Sequence, residues 1–247
     1  MAPREPAGCL VEFHIAPEVA ARFPGIEVHA VRARGFLAAA DKLDHAGQLR
    51  QAVARVATLG IDKEKLASYP PIARWREAYA GLKVRPSAFR ASIESLLRRA
   101  VVGADLALPI ASVNLYNAVS LDALAPMGAY DMAKLRPAPV RLRFADPARD
   151  RFAPLGGKAA DFPLHPDLVV YASGNTVLCW GFNHRDNVET ALDAQSDDIV
   201  FFSEALETEG GLGSANAIAE VRRRLTALGV ACSEPVLANR DRLTFLI

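Results

Sequence analysis

The sequence predicts a single α+β domain, and three observations carry that prediction. Helix-period apolar patterning dominates residues 41–124, and short alternating strands dominate the chain after Leu135. No repeat, low-complexity tract or long linker divides residues 1–247. A length of 247 residues, with 51% hydrophobic and 23% charged side chains, supports a substantial core in one unit.

Taken in order, Leu10 to Ile15 is an apolar strand, and Ala16 to Phe23 forms a turn or two of helix before Pro24-Gly25. Ile26, Val28, Ala30 and Arg32 alternate as a strand does. From Asp41 the pattern turns helical, with Leu43, Leu49, Val53 and Val56 on one side and Gly60 as the stop. A shorter helix is expected over Asp62 to Ala67. Pro70-Pro71 suits the first turn of a helix running through Ile72 to Gly81. Proline at 86 pushes Arg85 into extended backbone, and Ser87 is then placed to cap a helix from Ala88 to Val102. Leu108-Pro109 opens a further helix to about Leu124, ended by Pro126 and Gly128.

In the second half, Val140, Leu142 and Phe144 alternate with Arg141 and Arg143 as a half-buried strand with a basic face. Gly156-Gly157 makes a turn. Leu168 to Tyr171 and Val177 to Trp180 pair as a hairpin, and Ile199 to Phe202 is another strand. Ser214 is placed to cap a helix from Ala215 to Leu228 that Gly229 ends. Val236 and Leu243 to Ile247 read as closing strands.

Composition narrows the function. A net charge of +1 offers no global attraction to nucleic acid, so any RNA contact needs a local patch. Arg98-Arg99, the set Arg141, Arg143, Arg149 and Arg151, and Arg222 to Arg224 are the candidates; each alone reads as a solvated face. Cys9, Cys179 and Cys232 have no metal-ligand spacing, and their odd number fits a reducing interior. The N-terminal residues lack the apolar core of a signal sequence, and no apolar run approaches the length of a membrane span. A cytoplasmic protein is expected.

The histidines at 14, 29, 45, 165 and 184 lack ligand partners at helical spacing, so neither a metal nor another cofactor is expected. There is no G-x-S-x-G, and no cysteine lies in an activating motif; Cys179 reads as a core residue of an apolar strand. Gly210-Gly211-Leu212-Gly213 lacks the Walker lysine and the dinucleotide fingerprint, and reads as a loop.

What remains is a concentration of polar side chains between Trp75 and Asp131. Arg85, Ser87, Glu94, Asn114, Tyr116, Asn117, Ser120, Tyr130 and Asp131 are threaded among apolar residues there. Buried polar groups need partners, since an unpaired one costs roughly 1–3 kcal/mol. Asn117 and Ser120 share a helical face and are spaced to orient a substrate or a water. Asp131, closing G-A-Y-D, is a carboxylate anchor for a cationic group. Spacing alone supports a pocket for a small polar ligand, using neither metal nor covalent nucleophile. Each residue taken singly is more often a helix cap or a buried hydrogen-bond partner; their concentration in one segment favours a site.

The ordered blocks W-R-E-A-Y, K-V-R-P-S, S-I-E-S-L-L-R-R, V-N-L-Y-N and P-M-G-A-Y-D resemble the B3/4 domain over roughly Phe23 to Phe202. This is the editing domain of the phenylalanyl-tRNA synthetase beta subunit, and it also occurs as freestanding proteins. The resemblance implies a central mixed sheet flanked by helices and hydrolysis of a mischarged aminoacyl-tRNA in trans. Its implied machinery positions a water and the tRNA 3′ end, with the terminal ribose hydroxyls assisting. On this reading Asn117, Tyr116 and Ser120 are catalytic. Asn114, Glu94, Tyr130, Asp131, Asp167 and Arg85 bind substrate, and Arg141, Arg143, Arg149 and Arg151 meet the tRNA backbone.

The chain departs from the family's pattern at three places. Val113-Asn114-Leu115-Tyr116-Asn117 carries an amide where many relatives have an aspartate, and Pro166-Asp167 replaces a G-E pair. Trp180 to Arg185 only loosely follows the family's segment. These positions are expected near the amino-acid pocket, so tyrosine specificity does not carry over. Asp131, Glu94 or Asp167 would suit a guanidinium-like side chain, as on canavanyl-tRNA(Arg). A non-catalytic RNA-binding module and a small-molecule enzyme or sensor are the alternative readings.

Overall fold

The computed structural model describes residues 10–135, 138–206 and 212–247. The chain begins β1 (Glu12–Ile15), α1 (Pro17–Arg22), β2 (Glu27–Arg34), α2 (Leu37–Ala40) and α3 (His45–Thr58). Three helices follow: α4 (Pro70–Gly81), α5 (Ser92–Ala100) and α6 (Ala111–Ala123). Strands β3 (Met127–Asp131), β4 (Val140–Phe144), β5 (Val169–Ser173), β6 (Thr176–Trp180), β7 (Arg185–Asp186) and β8 (Ile199–Ala205) come next. The chain closes with α7 (Leu212–Thr226), β9 (Ala231–Cys232), β10 (Val236–Asn239) and β11 (Thr244–Leu246).

The class is α+β, with two sheets where one central mixed sheet is expected. One sheet has the order β11-β1-β4-β5-β6-β7 and is mixed, because β1 and β4 run parallel while its other pairs are antiparallel. The other has the order β10-β2-β8-β3, with β9 also on β2, and is antiparallel.

Strand β8 explains how the layers stack. Val200 and Phe202 face one core region, together with Phe13 and Tyr171 of the mixed sheet. Ile199 and Phe201 face another, built with Leu115 and Val119 of α6 and Ile218, Val221 and Leu225 of α7. All seven residues of β8 are buried. A strand covered on both faces reads as a nearly continuous apolar run, so Glu204 near its end is an exception with consequences. Among the described residues no helix is long and apolar enough to cross a membrane.

Most elements fall where the sequence places them, and the departures have local causes. Helix α3 starts at His45, after Asp44, whose Oδ1 accepts the Gly47 N–H at 2.9 Å. The expected short helix over Asp62 to Ala67 is reduced to turns and a single 3₁₀ turn, Leu66–Ser68. Helix α5 starts at Ser92, not Ala88, and Ser87 caps nothing. The Ala88 and Phe89 N–H groups instead turn back onto Arg85 O at 3.0 Å, while the Arg90 backbone meets His184 and the Ser92 N–H meets Asn183. Tertiary partners thus occupy the groups that a first helical turn would use. Ser214 lies inside α7, which begins two residues earlier. Asp131 ends a strand, β3, where the sequence leads us to expect none. Cys9 and the Gly210-Gly211 pair lie outside the described residues, whereas Leu212 and Gly213 belong to α7.

Candidate functional site

A cavity of about 340 Å³ opens where α5, α6, both sheets and the turn after β6 converge. Its position follows from that turn. Gly181 and Phe182 adopt φ of 63° and 56°, and the left-handed region is strained for a bulky residue such as phenylalanine. The strain is held by packing: the Phe182 ring is fully buried, with Trp75 at 5.5 Å and Phe23 at 5.3 Å, both edge-on. The Tyr79 hydroxyl donates to Gly181 O from beneath. The next four residues, Asn183 to Asp186, are thereby turned into the cavity wall.

Asn183 is fixed at both ends. Its Oδ1 accepts the Ser92 N–H at 3.1 Å, which leaves Nδ2 to donate to Glu204 Oε2 at 3.0 Å. Glu204 is pushed up to about 7, chiefly by burial and to a lesser extent by the Asp186 charge. The neighbouring Tyr171 hydroxyl and Asn183 amide pull it back down. Burial also raises Asp186, against the Cys179 thiol and the Arg185 guanidinium. The Cys179 thiol itself is held well above its usual range by burial, then by Asp186 and Glu204, so it stays protonated and poorly nucleophilic. Burial, acting first, likewise raises Tyr116, Tyr130 and Tyr171 and keeps their hydroxyls as donors. His184 is lowered, mainly by burial, and stays neutral. The arrangement is a proton acceptor poised near neutrality among neutral hydrogen-bond donors.

Three of the sequence-predicted residues meet in this cavity: Tyr116 and Asn117 from α6, and Tyr130 from β3. The Asn117 amide has no hydrogen bond to any described residue. The other predicted residues lie elsewhere, and Asn114, Ser120, Glu94, Asp131 and Asp167 have structural partners there. Asn114 is fully buried, bonding Leu108 N at 2.9 Å, Leu108 O at 2.7 Å and His45 Nδ1 at 2.7 Å. The Ser120 hydroxyl donates to Ala125 O at 2.6 Å and locks the end of α6, where Leu124 is left-handed. Glu94 is enclosed by Arg76, Arg90 and Arg98. Asp131 accepts from Ser196 Oγ and Ala133 N, pinning the loop after β3. Asp167 is half-buried and pairs with Lys83 at 2.6 Å, and Arg85 is exposed.

The predicted tRNA patch is a separate surface, sharing no lining residue with the cavity. Arg141, Arg149 and Arg151 are exposed there, while both terminal nitrogens of Arg143 bond Asp150 at 2.7 Å. Sequence reasoning missed Glu204, Asp186 and Tyr171 as cavity residues. Asn183 and Arg185 fall in the segment flagged as departing from the family's pattern. Glu204 had one signal: an acid following the apolar run Ile199 to Phe202. Among the described residues no group of three or more His, Cys, Asp or Glu side chains is placed to hold a metal ion.

Comparison with curated proteins finds no match. A family model does match, that of the B3/4 domain, over residues 74–219. That span begins later than the resemblance at Phe23 and extends beyond Phe202, so it contains all three cavity-facing predictions as well as Asn183, Asp186 and Glu204. It covers more than half of the sequence, and the chain belongs to the B3/4 domain family.

Proposed function

We propose that the whole chain forms one editing domain that hydrolyses the ester of a mischarged aminoacyl-tRNA in trans. The observation that carries this reading is the cavity's pairing of an uncommitted amide, Asn117, with a buried carboxylate titrating near 7, Glu204. A base whose pKa lies near the working pH is well matched to removing a proton from water. Membership of a family that includes an editing domain supports the same assignment.

In this reading ionised Glu204 takes a proton from a water molecule, and the water oxygen attacks the ester carbonyl carbon. The Asn117 amide and the Tyr116 hydroxyl donate to the developing oxyanion, which in a water-poor site is worth more than in bulk. The tetrahedral intermediate then expels the ribose oxygen, which takes up the proton from Glu204. A free amino acid and an uncharged tRNA leave. The thiol of Cys179 takes no part.

The finer assignment is a cationic amino acid such as canavanine on tRNA(Arg). Asp131, Glu94 and Asp167 are engaged outside the cavity, so the carboxylate assigned to the cation is Asp186. A guanidinium-like group entering beside Asp186 would restore the charge that burial disfavours. Arg141, Arg149 and Arg151 are assigned to the tRNA backbone, which predicts a steep fall of affinity with salt.

The test is single-turnover deacylation on tRNA(Arg) carrying arginine or canavanine and tRNA(Phe) carrying phenylalanine or tyrosine. Rapid loss of one mischarged species, abolished in Asn117→Ala and Glu204→Gln, is the expected result. Survival of every ester at its spontaneous rate, with tRNA still bound, would replace hydrolysis with simple tRNA binding.

A further inference from the structure

A second cavity, of about 470 Å³, lies beside the first and shares one lining residue with it, Glu204. Its walls come from the start of α4, the turn between α6 and β3, the end of β8 and the first turn of α7. They are largely apolar: Pro70, Pro71, Trp75 and Leu206 contribute, with few polar groups between them. One of those polar groups is unusual. Ser214 is 1% exposed, and its hydroxyl has no hydrogen-bond partner among the described residues. Beside it, α7 approaches α6 so closely that a Cβ on Gly213 would come within 2.9 Å of Ala123 O. This wall of the cavity is therefore backbone, set at a fixed distance. Buried hydroxyls are normally satisfied, so an orphan one lining a cavity marks a place where a ligand completes the set.

We propose that this second cavity receives the terminal nucleoside of the RNA whose ester is hydrolysed in the first. The inference rests on the proposed hydrolysis, and it follows from the shape of the substrate. An aminoacyl ester joins two unlike bodies, an amino acid and a nucleoside, through one scissile bond. A site for it needs two compartments that meet at the group acting on that bond. Here the compartments meet at Glu204, and the larger one has an apolar wall of Pro70, Pro71 and the largely buried Trp75, which suits a base. The Ser214 hydroxyl is left to bond a polar edge of the base or a ribose hydroxyl. The smaller compartment, with Asn117, Tyr116 and Asp186, holds the amino acid.

The two tryptophans give the test its own control. Trp75 lines the second cavity, whereas Trp180 lines neither cavity and donates its indole N–H to Pro163 O at 3.1 Å. The probe is a short uncharged RNA ending in CCA, titrated into the ¹⁵N-labelled full chain while both indole N–H signals are followed. The expected result is a saturable shift of the Trp75 signal alone, lost when the RNA lacks its 3′-terminal adenosine. Ser214→Ala should weaken that binding by up to about tenfold, the loss of one hydrogen bond. Ser214→Leu, which fills the cavity, should abolish the shift and slow single-turnover deacylation; should that variant fail to fold, Ser214→Ala and the truncated RNA decide. The inference is overturned if the protein deacylates a charged tRNA while the Trp75 signal ignores the terminal adenosine. It is equally overturned if a folded Ser214→Leu deacylates at the rate of the unaltered protein. If no ester is cleaved but the adenosine-dependent Trp75 shift appears, hydrolysis is wrong and the nucleoside site stands.

Discussion

Glu94 and Glu204 are both buried glutamates, and their surroundings differ in one respect that governs everything else about them. Glu94 Oε1 lies 2.7 Å from an Arg76 nitrogen, 2.8 Å from Arg98 Nε and 3.6 Å from Arg90 Nε. Glu204 receives an amide from Asn183 and has Tyr171 beside it, with no ion pair to any described residue. The first carboxylate is surrounded by cations and serves as the junction tying α4, the turn before α5 and α5 itself. The second is kept near the point of neutrality and faces an open cavity. Burial of an acid therefore has two meanings in this molecule, and the neighbouring cations distinguish them.

The largest effect expected from this contrast is on stability at Glu94. Glu94→Gln removes the one anion shared by three guanidiniums, and breaking a buried ion pair from one side destabilises by about 3–5 kcal/mol. Urea denaturation at pH 7 measures it. A loss below about 1 kcal/mol, the range of exposed pairs, would show that the cluster is effectively solvated and would erase the contrast.

Glu204→Gln should act in the opposite direction. Because the folded state holds Glu204 near 7 against an ordinary value of 4.5, it binds more protons than the unfolded state between those limits. Stability contributed by the neutral acid is therefore present at low pH and is lost as pH rises from 4.5 through about 7. Removing the titration should stabilise the protein at pH 8 by on the order of 2–3 kcal/mol relative to its effect at pH 4. Deacylation, if Glu204 is the base, should fall by roughly 10²–10⁴-fold and lose its rising limb near neutrality. A variant that is less stable at pH 8 and equally active would make Glu204 another structural acid like Glu94.

Asn114 and Asn117 repeat the contrast at smaller scale on a single helix. Asn114→Ala deletes three buried hydrogen bonds and should cost about 1–3 kcal/mol in thermal or urea unfolding. Asn117→Ala deletes none to a described residue, so its stability should change by less than about 0.5 kcal/mol while deacylation collapses. Reversed outcomes would exchange the two residues' roles.

These pairs also show how far the sequence could be read. Helical spacing correctly put Tyr116 and Asn117 on one element, and the alternation of β2 and β4 with the apolar runs of β5, β6 and β8 placed most of both sheets. The same spacing could not separate Asn114 from Asn117, because their partners lie on other elements: His45 for one, an open cavity for the other. The start of α5 was hidden for a related reason, since the groups that pre-empt Ser87 are more than 90 residues away at Asn183 and His184. Polar density between Trp75 and Asp131 indicated buried polar chemistry, but Glu94, Asn114, Ser120 and Asp131 proved to be the fold's own wiring. Glu204 escaped notice because it lies outside that dense stretch, and only tertiary structure brings β8 to α6.

The smallest effect concerns the two aspartates that compete for a cationic substrate. Asp167 is half-exposed, and the hydrogen bond and charge of Lys83 hold it below the ordinary carboxylate range. Asp186 lines the cavity, and burial raises it. If a guanidinium-like amino acid enters that cavity, Asp186→Asn should raise KM for the cationic ester about tenfold or more while leaving a neutral aminoacyl ester nearly unchanged, since a charge-assisted hydrogen bond is lost from one and not the other. Asp167→Asn should alter neither, because its lysine partner already occupies it at the surface. Parallel steady-state measurements on the two esters read the difference directly. A selective KM effect at Asp167 with none at Asp186 would move the cation to the surface loop, and an equal effect on both esters would show Asp186 shaping the cavity rather than choosing its substrate.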